Sequence, residues 1–178
     1  MWRTLAVIIA AFKLANPSLP ADIAEGYAKT VQADAKKHHY DPYTPVAITW
    51  HESRVNSRIV KTVDGDTYVG LGQIRLQNFA ACREDMESAD CQAMKARLSV
   101  GAENLVMIGI LIQQNRDYCR KKTGRTSFAA WLGGYQGYSG CSVTKIARMT
   151  WRVMHYRAWL ERSVPRSMRG LPYRPFAG

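Results

Sequence analysis

Ile48-Thr49-Trp50-His51-Glu52-Ser53-Arg54 and, further along, Gly70-Leu71-Gly72-Gln73-Ile74 are the two segments on which the reading of this chain turns. Thr44-Pro45 opens the first segment. Thr is a good helix cap, and Pro at the first helical position loses nothing because that N–H has no helical partner. The pattern predicts a short helix with Glu52 near its end, on the side of Ile48 and Val55. A carboxyl on that apolar side should hold its proton more tightly than one in water. An acid poised to donate near neutral pH is what glycosidic bond cleavage requires. The plain alternative is a partly exposed Glu at a helix terminus, and Glu52 alone favours it.

The second segment changes the weighing. Gly70 and Gly72 flank Leu71, two glycines where a chain can turn tightly or let a ligand approach its backbone. Gln73 offers both a donor and an acceptor, suited to a sugar hydroxyl or an acetamido group. In this order, Glu52-Ser53 and Gly70-Leu71-Gly72-Gln73-Ile74 resemble the signature of lytic transglycosylases with a lysozyme-like fold, which usually reads Glu-Ser, then Gly-Leu-Met-Gln-Ile. A third element, Asn followed by Gly, is similar to Asn104 and Gly109. The fourth, Ala-Tyr-Asn-Ala-Gly, is similar either to Ala130-Trp131-Leu132-Gly133-Gly134 or to Gly134-Tyr135-Gln136-Gly137. The second alignment is preferred because Tyr135 keeps a phenol and Gln136 a side-chain amide. Gly72 departs from the pattern, standing where Met is usual.

The resemblance implies a predominantly helical α+β, lysozyme-like domain with one small β-hairpin. It implies a peptidoglycan lytic transglycosylase cleaving the β-1,4 bond between N-acetylmuramic acid and N-acetylglucosamine, with a 1,6-anhydro product. Glu52 would act as acid and then base. Ser53, Gly70, Leu71, Gln73, Ile74, Tyr135 and Gln136 would contact or frame the sugar, and no cofactor is implied. Two alternatives stand beside it. An inverting muramidase would use Asp64 or Asp66 to activate water, although Asp64-Gly65-Asp66 is also plain turn chemistry. A wall-binding or assembly component would keep the groove without turnover.

The chain has 178 residues, 47% hydrophobic and 22% charged, the composition of one globular domain able to bury a core. Its net charge of +11 is spread along the chain. Such a balance attracts polyanions, here peptidoglycan strands and anionic polymers of the cell envelope. No motif supports nucleic-acid binding. Residues 1–21 are expected as an export signal: Met1-Trp2-Arg3, then an apolar run from Thr4 to Phe12 too short to span a bilayer. A packed or interfacial helix competes with that reading. Cys82, Cys91, Cys119 and Cys141 fit a disulfide framework in an exported chain; three pairings are possible, and Cys82–Cys91 with Cys119–Cys141 is the one expected. Metal binding is disfavoured, with no Cys-x-x-Cys and scattered His. His51 projects away from Glu52 on a helix and is read as packed or solvated.

Apolar stripes and breakers predict helices from Ser18 to about Lys37, Leu76 to Glu84, Ala93 to Leu98, Ser99 to Lys122, Ser127 to Gly133 and Ser142 to Arg162. A hairpin is predicted around Asp64-Gly65-Asp66. The catalytic domain is expected over 22–162, with an irregular basic tail over 163–178.

Overall fold

The helix that ends at Glu52 and Ser53 is the innermost element of the molecule. It spans Tyr43–Ser53 (α3), and every residue from Tyr43 to Trp50 is buried. A helix apolar on all sides has to be enclosed. Helices over Leu5–Ala15 (α1), Gly101–Thr123 (α6) and Arg148–Ser167 (α8) enclose it. The computed structural model describes residues 3–124, 127–135, 141, 148–170 and 172.

Helix α3 begins earlier than Thr44 and is not capped by it. The Asp41 carboxylate accepts from the Tyr43 amide at 3.1 Å, and the Asp41 carbonyl accepts from the Thr44 amide at 2.9 Å. Asp41 also pairs with Arg3 at 3.1 Å and Arg157 at 2.6 Å. Burial alone would raise its pKa, but these cations and the Tyr43 amide hold it below the usual carboxylate range. A carboxylate at a helix N-terminus satisfies the orphan N–H groups better than a threonine hydroxyl does.

The remaining helices are α2 (Ala21–His38), α4 (Ala80–Glu84), α5 (Ala89–Ser99) and α7 (Phe128–Tyr135), with a 3-10 turn at Leu76–Asn78. Helix α2 lies on α6 and α1. Gly124 ends α6 at φ +68°, its amide donating to the Arg120 carbonyl, as its place after the apolar period predicts. The expected hairpin forms from β1 (Val60–Val63) and β2 (Asp66–Val69), and β3 (Ile74–Arg75) adds a third strand in the order β1-β2-β3. Asp64 and Gly65 turn at φ +52° and +84°, the two-residue geometry whose twist matches paired strands. The fold is predominantly helical α+β, as the sequence predicts.

The described residues towards both ends are helical. The apolar run read as an export signal is helix α1, and its Ile8, Ala11 and Phe12 are fully buried in the core. Arg3 extends the attachment by pairing with Asp41 and lying 3.8 Å from the Tyr43 ring centre. At the other end, α8 continues past Arg162 to Ser167 because Ser163 and Val164 are buried. That burial overrides the expected irregular start of the tail, despite Pro165 within the helix.

Two disulfides close the chain on itself, Cys82–Cys91 joining α4 to α5 and Cys119–Cys141 starting from α6. Both pairings agree with the sequence reading. They fit an oxidising, extracytoplasmic environment. Among the described residues, no single helix is long and apolar enough to cross a membrane.

Candidate active site

Glu52 emerges where α3 stops, and the stop is abrupt. Arg54 and Val55 both adopt positive φ, +56° and +59°. That is a strained conformation for a β-branched residue and persists only where the surroundings impose it. Ser53 supplies part of the constraint. Its hydroxyl is buried, shares its one proton between the Thr49 and Leu71 carbonyls at 3.0 and 2.9 Å, and accepts from the Asn56 amide at 3.3 Å. Expected as a sugar contact, Ser53 is instead the weld between the end of α3 and the Gly70–Gln73 turn.

That turn is shaped from below. Gly70 sits at φ +75°, and a Cβ there would collide with the Asn104 side chain and the Leu98 carbonyl. Asn104, fully buried on α6, accepts from the Gly72 amide at 2.8 Å and donates to the Val69 and Leu98 carbonyls at 3.0 and 2.8 Å. Leu71 points into the core at zero exposure. Gly70 and Leu71 therefore frame the site without offering a side chain to it. Gly72 explains its own departure from the expected Met. A Cβ would lie 2.6 Å from Ile108 Cγ1 and 3.0 Å from the Tyr135 hydroxyl, so the absent side chain is what lets both approach the turn. Gly109 serves packing instead, admitting Asp34 of α2 against α6.

Above the turn lies a cleft of about 820 Å³ lined by Glu52, Gly72, Gln73, Ile74 and Tyr135 together with residues of the sheet and α6. Gln73, at φ +46°, donates from Nε2 to the Ile59 and Gly70 carbonyls at 3.2 and 2.9 Å. Its Oε1 is buried with no hydrogen-bond partner among the described residues, and so is the Tyr135 hydroxyl. Burial, and secondarily the charge of Glu52, push the Tyr135 phenol well above its usual pKa, so it remains a neutral donor. Two buried polar atoms without a partner among the described residues, on residues that line the same cleft as Glu52, are exceptions that an ordered water, or a polar ligand after a small side-chain shift, would resolve. Among the described lining residues, Glu52 is the one carboxylate.

The rival bases are placed differently: Asp66, opposite Val63 in the hairpin, shares the sheet face of Tyr68 but is not among the lining residues. Asp66 is held by Arg75 at 2.7 Å, and Asp64 occupies the exposed hairpin turn; neither lines the cleft. Gln136 lies outside the described residues. Tyr135 stands at the end of α7 rather than in a loop. His51 is half-buried, and its Nε2 has no partner among the described residues. Burial, then the charges of Arg152, Arg54 and Lys61, push its pKa down to about 4, so the ring is neutral near pH 7. No group of three or more potential metal ligands occurs among the described residues.

Sequence reasoning missed the sheet side of the cleft, where Lys61, Val63, Tyr68 and Arg75 lie. The signal was present: the Asp64-Gly65 turn dictates the pairing Lys61↔Tyr68, and alternation then puts both on one face. Comparisons with protein-family models, with curated proteins and with solved structures find no match in any of the three.

Proposed function

We propose that this protein is a peptidoglycan lytic transglycosylase acting outside the cytoplasm, in the periplasm or after secretion. The observation that carries the reading is Glu52, the one carboxylate among the described residues that line the cleft, together with the Tyr135 hydroxyl and Gln73 Oε1, which have no hydrogen-bond partner among the described residues. Glu52 donates its proton to the glycosidic oxygen as the bond to C1 of the muramic acid breaks. Its carboxylate then removes the proton of the same sugar's C6 hydroxyl, whose oxygen closes on C1 to give the 1,6-anhydro ring. One group suffices for both steps because the nucleophile belongs to the substrate. Tyr135 orients the carboxyl, and Gln73 accepts from a sugar hydroxyl or acetamido N–H. The arrangement of Asp64 and Asp66 supports this route over an inverting one, which needs a second carboxylate facing a water roughly 6.5–9.5 Å across the cleft.

Digestion of purified murein followed by mass spectrometry tests the reading. Muropeptides with anhydro ends, lighter by a water than muramidase products, are expected. Free reducing ends would assign an inverting muramidase, and binding without digestion a non-catalytic wall component.

A further inference from the structure

The sheet that walls the cleft carries a row of side chains fixed by strand register. Lys61 of β1 pairs with Tyr68 of β2, and Tyr68 pairs with Arg75 of β3. Directly opposed residues share a face, so the three stand side by side across the sheet, and all three line the cleft. Thr67 and Val69, the neighbours of Tyr68 along β2, face the other way and are buried. The two cations of the row differ. Arg75 is neutralised by Asp66 at 2.7 Å, whereas Lys61 is exposed and makes no ion pair among the described residues. Val63, two residues along β1 on the same face, is 53% exposed and also lines the cleft. The wall facing Glu52 thus offers an aromatic ring, an apolar side chain and one uncommitted ammonium group.

We propose that this row is an acidic-substituent subsite: a sugar ring lies against Tyr68 and Val63 while Lys61 takes a carboxylate carried by that sugar, so that the cleft selects acidic glycan over neutral glycan. The proposal rests on the glycan-cleaving reading above and adds the substrate feature that the sheet wall recognises. The chemistry is a carboxylate beside a pyranose ring. On murein it has two sources, the lactyl group of a muramic acid stripped of its peptide and the free carboxylates of the stem peptide. Tyr68 supplies an apolar platform for the sugar's C–H face, and Lys61 supplies a point charge on a flexible stem that can follow either source.

The test measures binding in the Glu52→Gln background, where no ligand is consumed, by titration calorimetry with three soluble glycans of similar length. These are an N-acetylglucosamine oligomer with no carboxylate, a peptide-free murein glycan and a peptide-bearing murein glycan. Lys61→Met should weaken binding of a carboxylate-bearing glycan by about fivefold at low salt and leave the neutral oligomer unaffected, with Lys61→Arg restoring the preference. Asp66→Asn, which releases Arg75, should strengthen binding of the same acidic glycan. Weakening confined to the peptide-free glycan assigns the lactyl carboxylate, and weakening confined to the peptide-bearing one assigns the stem. Equal loss on all three glycans, or no loss on either acidic one, overturns the subsite and leaves the glycan-cleaving reading standing. Failure of all three to bind before any change at Lys61 overturns both.

Discussion

On one side of the cleft, the end of α3 and the Gly70–Gln73 turn are dry and cross-braced. Ser53 and Asn104 spend their polar atoms on backbone groups, and Leu71 fills the core beneath. On the other side, β1 is exposed along its whole length and its Lys61 reaches into the cleft with no ion pair among the described residues. The difference fits the roles proposed for the two walls. A carboxyl that must meet a glycosidic oxygen tolerates little displacement, so it belongs on a network in which each buried polar group is costly to strand. A wall that sorts ligands by charge can be open and compliant, since an exposed ion pair contributes little and is screened by salt. The braced wall should govern chemistry and stability, and the open wall selectivity.

Glu52→Gln should break the braced side most visibly. It keeps shape and hydrogen bonding while removing the titrating proton, so lysis of purified murein should fall by about three orders of magnitude or more with folding intact. Turbidity loss of sacculi together with the far-ultraviolet circular dichroism spectrum checks both halves. A variant that keeps a tenth of wild-type lysis would remove Glu52 from its assigned role.

Asn104→Ala strands the Gly72 amide and the Val69 and Leu98 carbonyls in a buried site. Stability should fall by about 3 kcal/mol, against about 0.5 kcal/mol or less for Lys61→Met on the exposed strand. Urea unfolding of the two variants measures the contrast between the walls directly. Similar losses for the two would show that the sheet wall is as structural as the turn. Tyr135→Phe separates chemistry from stability on one side chain. Its hydroxyl has no partner among the described residues, so removing it should leave stability unchanged or raise it by about 1 kcal/mol, while kcat falls by about tenfold. Loss of stability without loss of kcat would make Tyr135 a packing residue.

How far these walls are legible in the sequence follows the same division. The Glu52 helix, the hairpin turn and the end of α6 at Gly124 are written locally, in apolar period, Asp-Gly and a terminal glycine. The framework of the braced wall was legible as well, because Gly70, Gly72 and Asn104 are residue types that close backbone approach demands. Their roles were not. Ser53 reads as a free hydroxyl until Leu71 is known to lie above it. The α1 run illustrates the same limit: a short apolar stretch near the chain start looks alike as an export signal and as a core helix. The faces of α2, α3 and α8 on which this helix packs all lie elsewhere in the sequence. The helical continuation to Ser167 was hidden for a related reason, since burial of Val164 outweighs the local disfavour of Pro165.

The smallest expected effect probes whether the two walls sense each other. The ordinary pKa of the His51 ring, 6.5, is pushed down to about 4, first by burial and then by Arg152, Arg54 and, last of these, Lys61 on the opposite wall. Between those two values the unfolded chain holds a proton that the folded chain refuses. Stability contributed by the neutral ring is therefore fully present above about pH 6.5 and is lost as pH falls towards about 4. His51→Gln should flatten that part of the stability profile. Lys61→Met removes only the weakest of the four causes, across a cleft open to water and salt. The His51 pKa, followed by the proton resonance of its ring, should rise by about 0.3 at low salt and by less at about 0.1 M. A rise of a full unit would mean that charge on the exposed strand reaches the end of α3 unscreened. The open wall would then tune the acid as well as select its substrate, and the division of labour between the walls would fail.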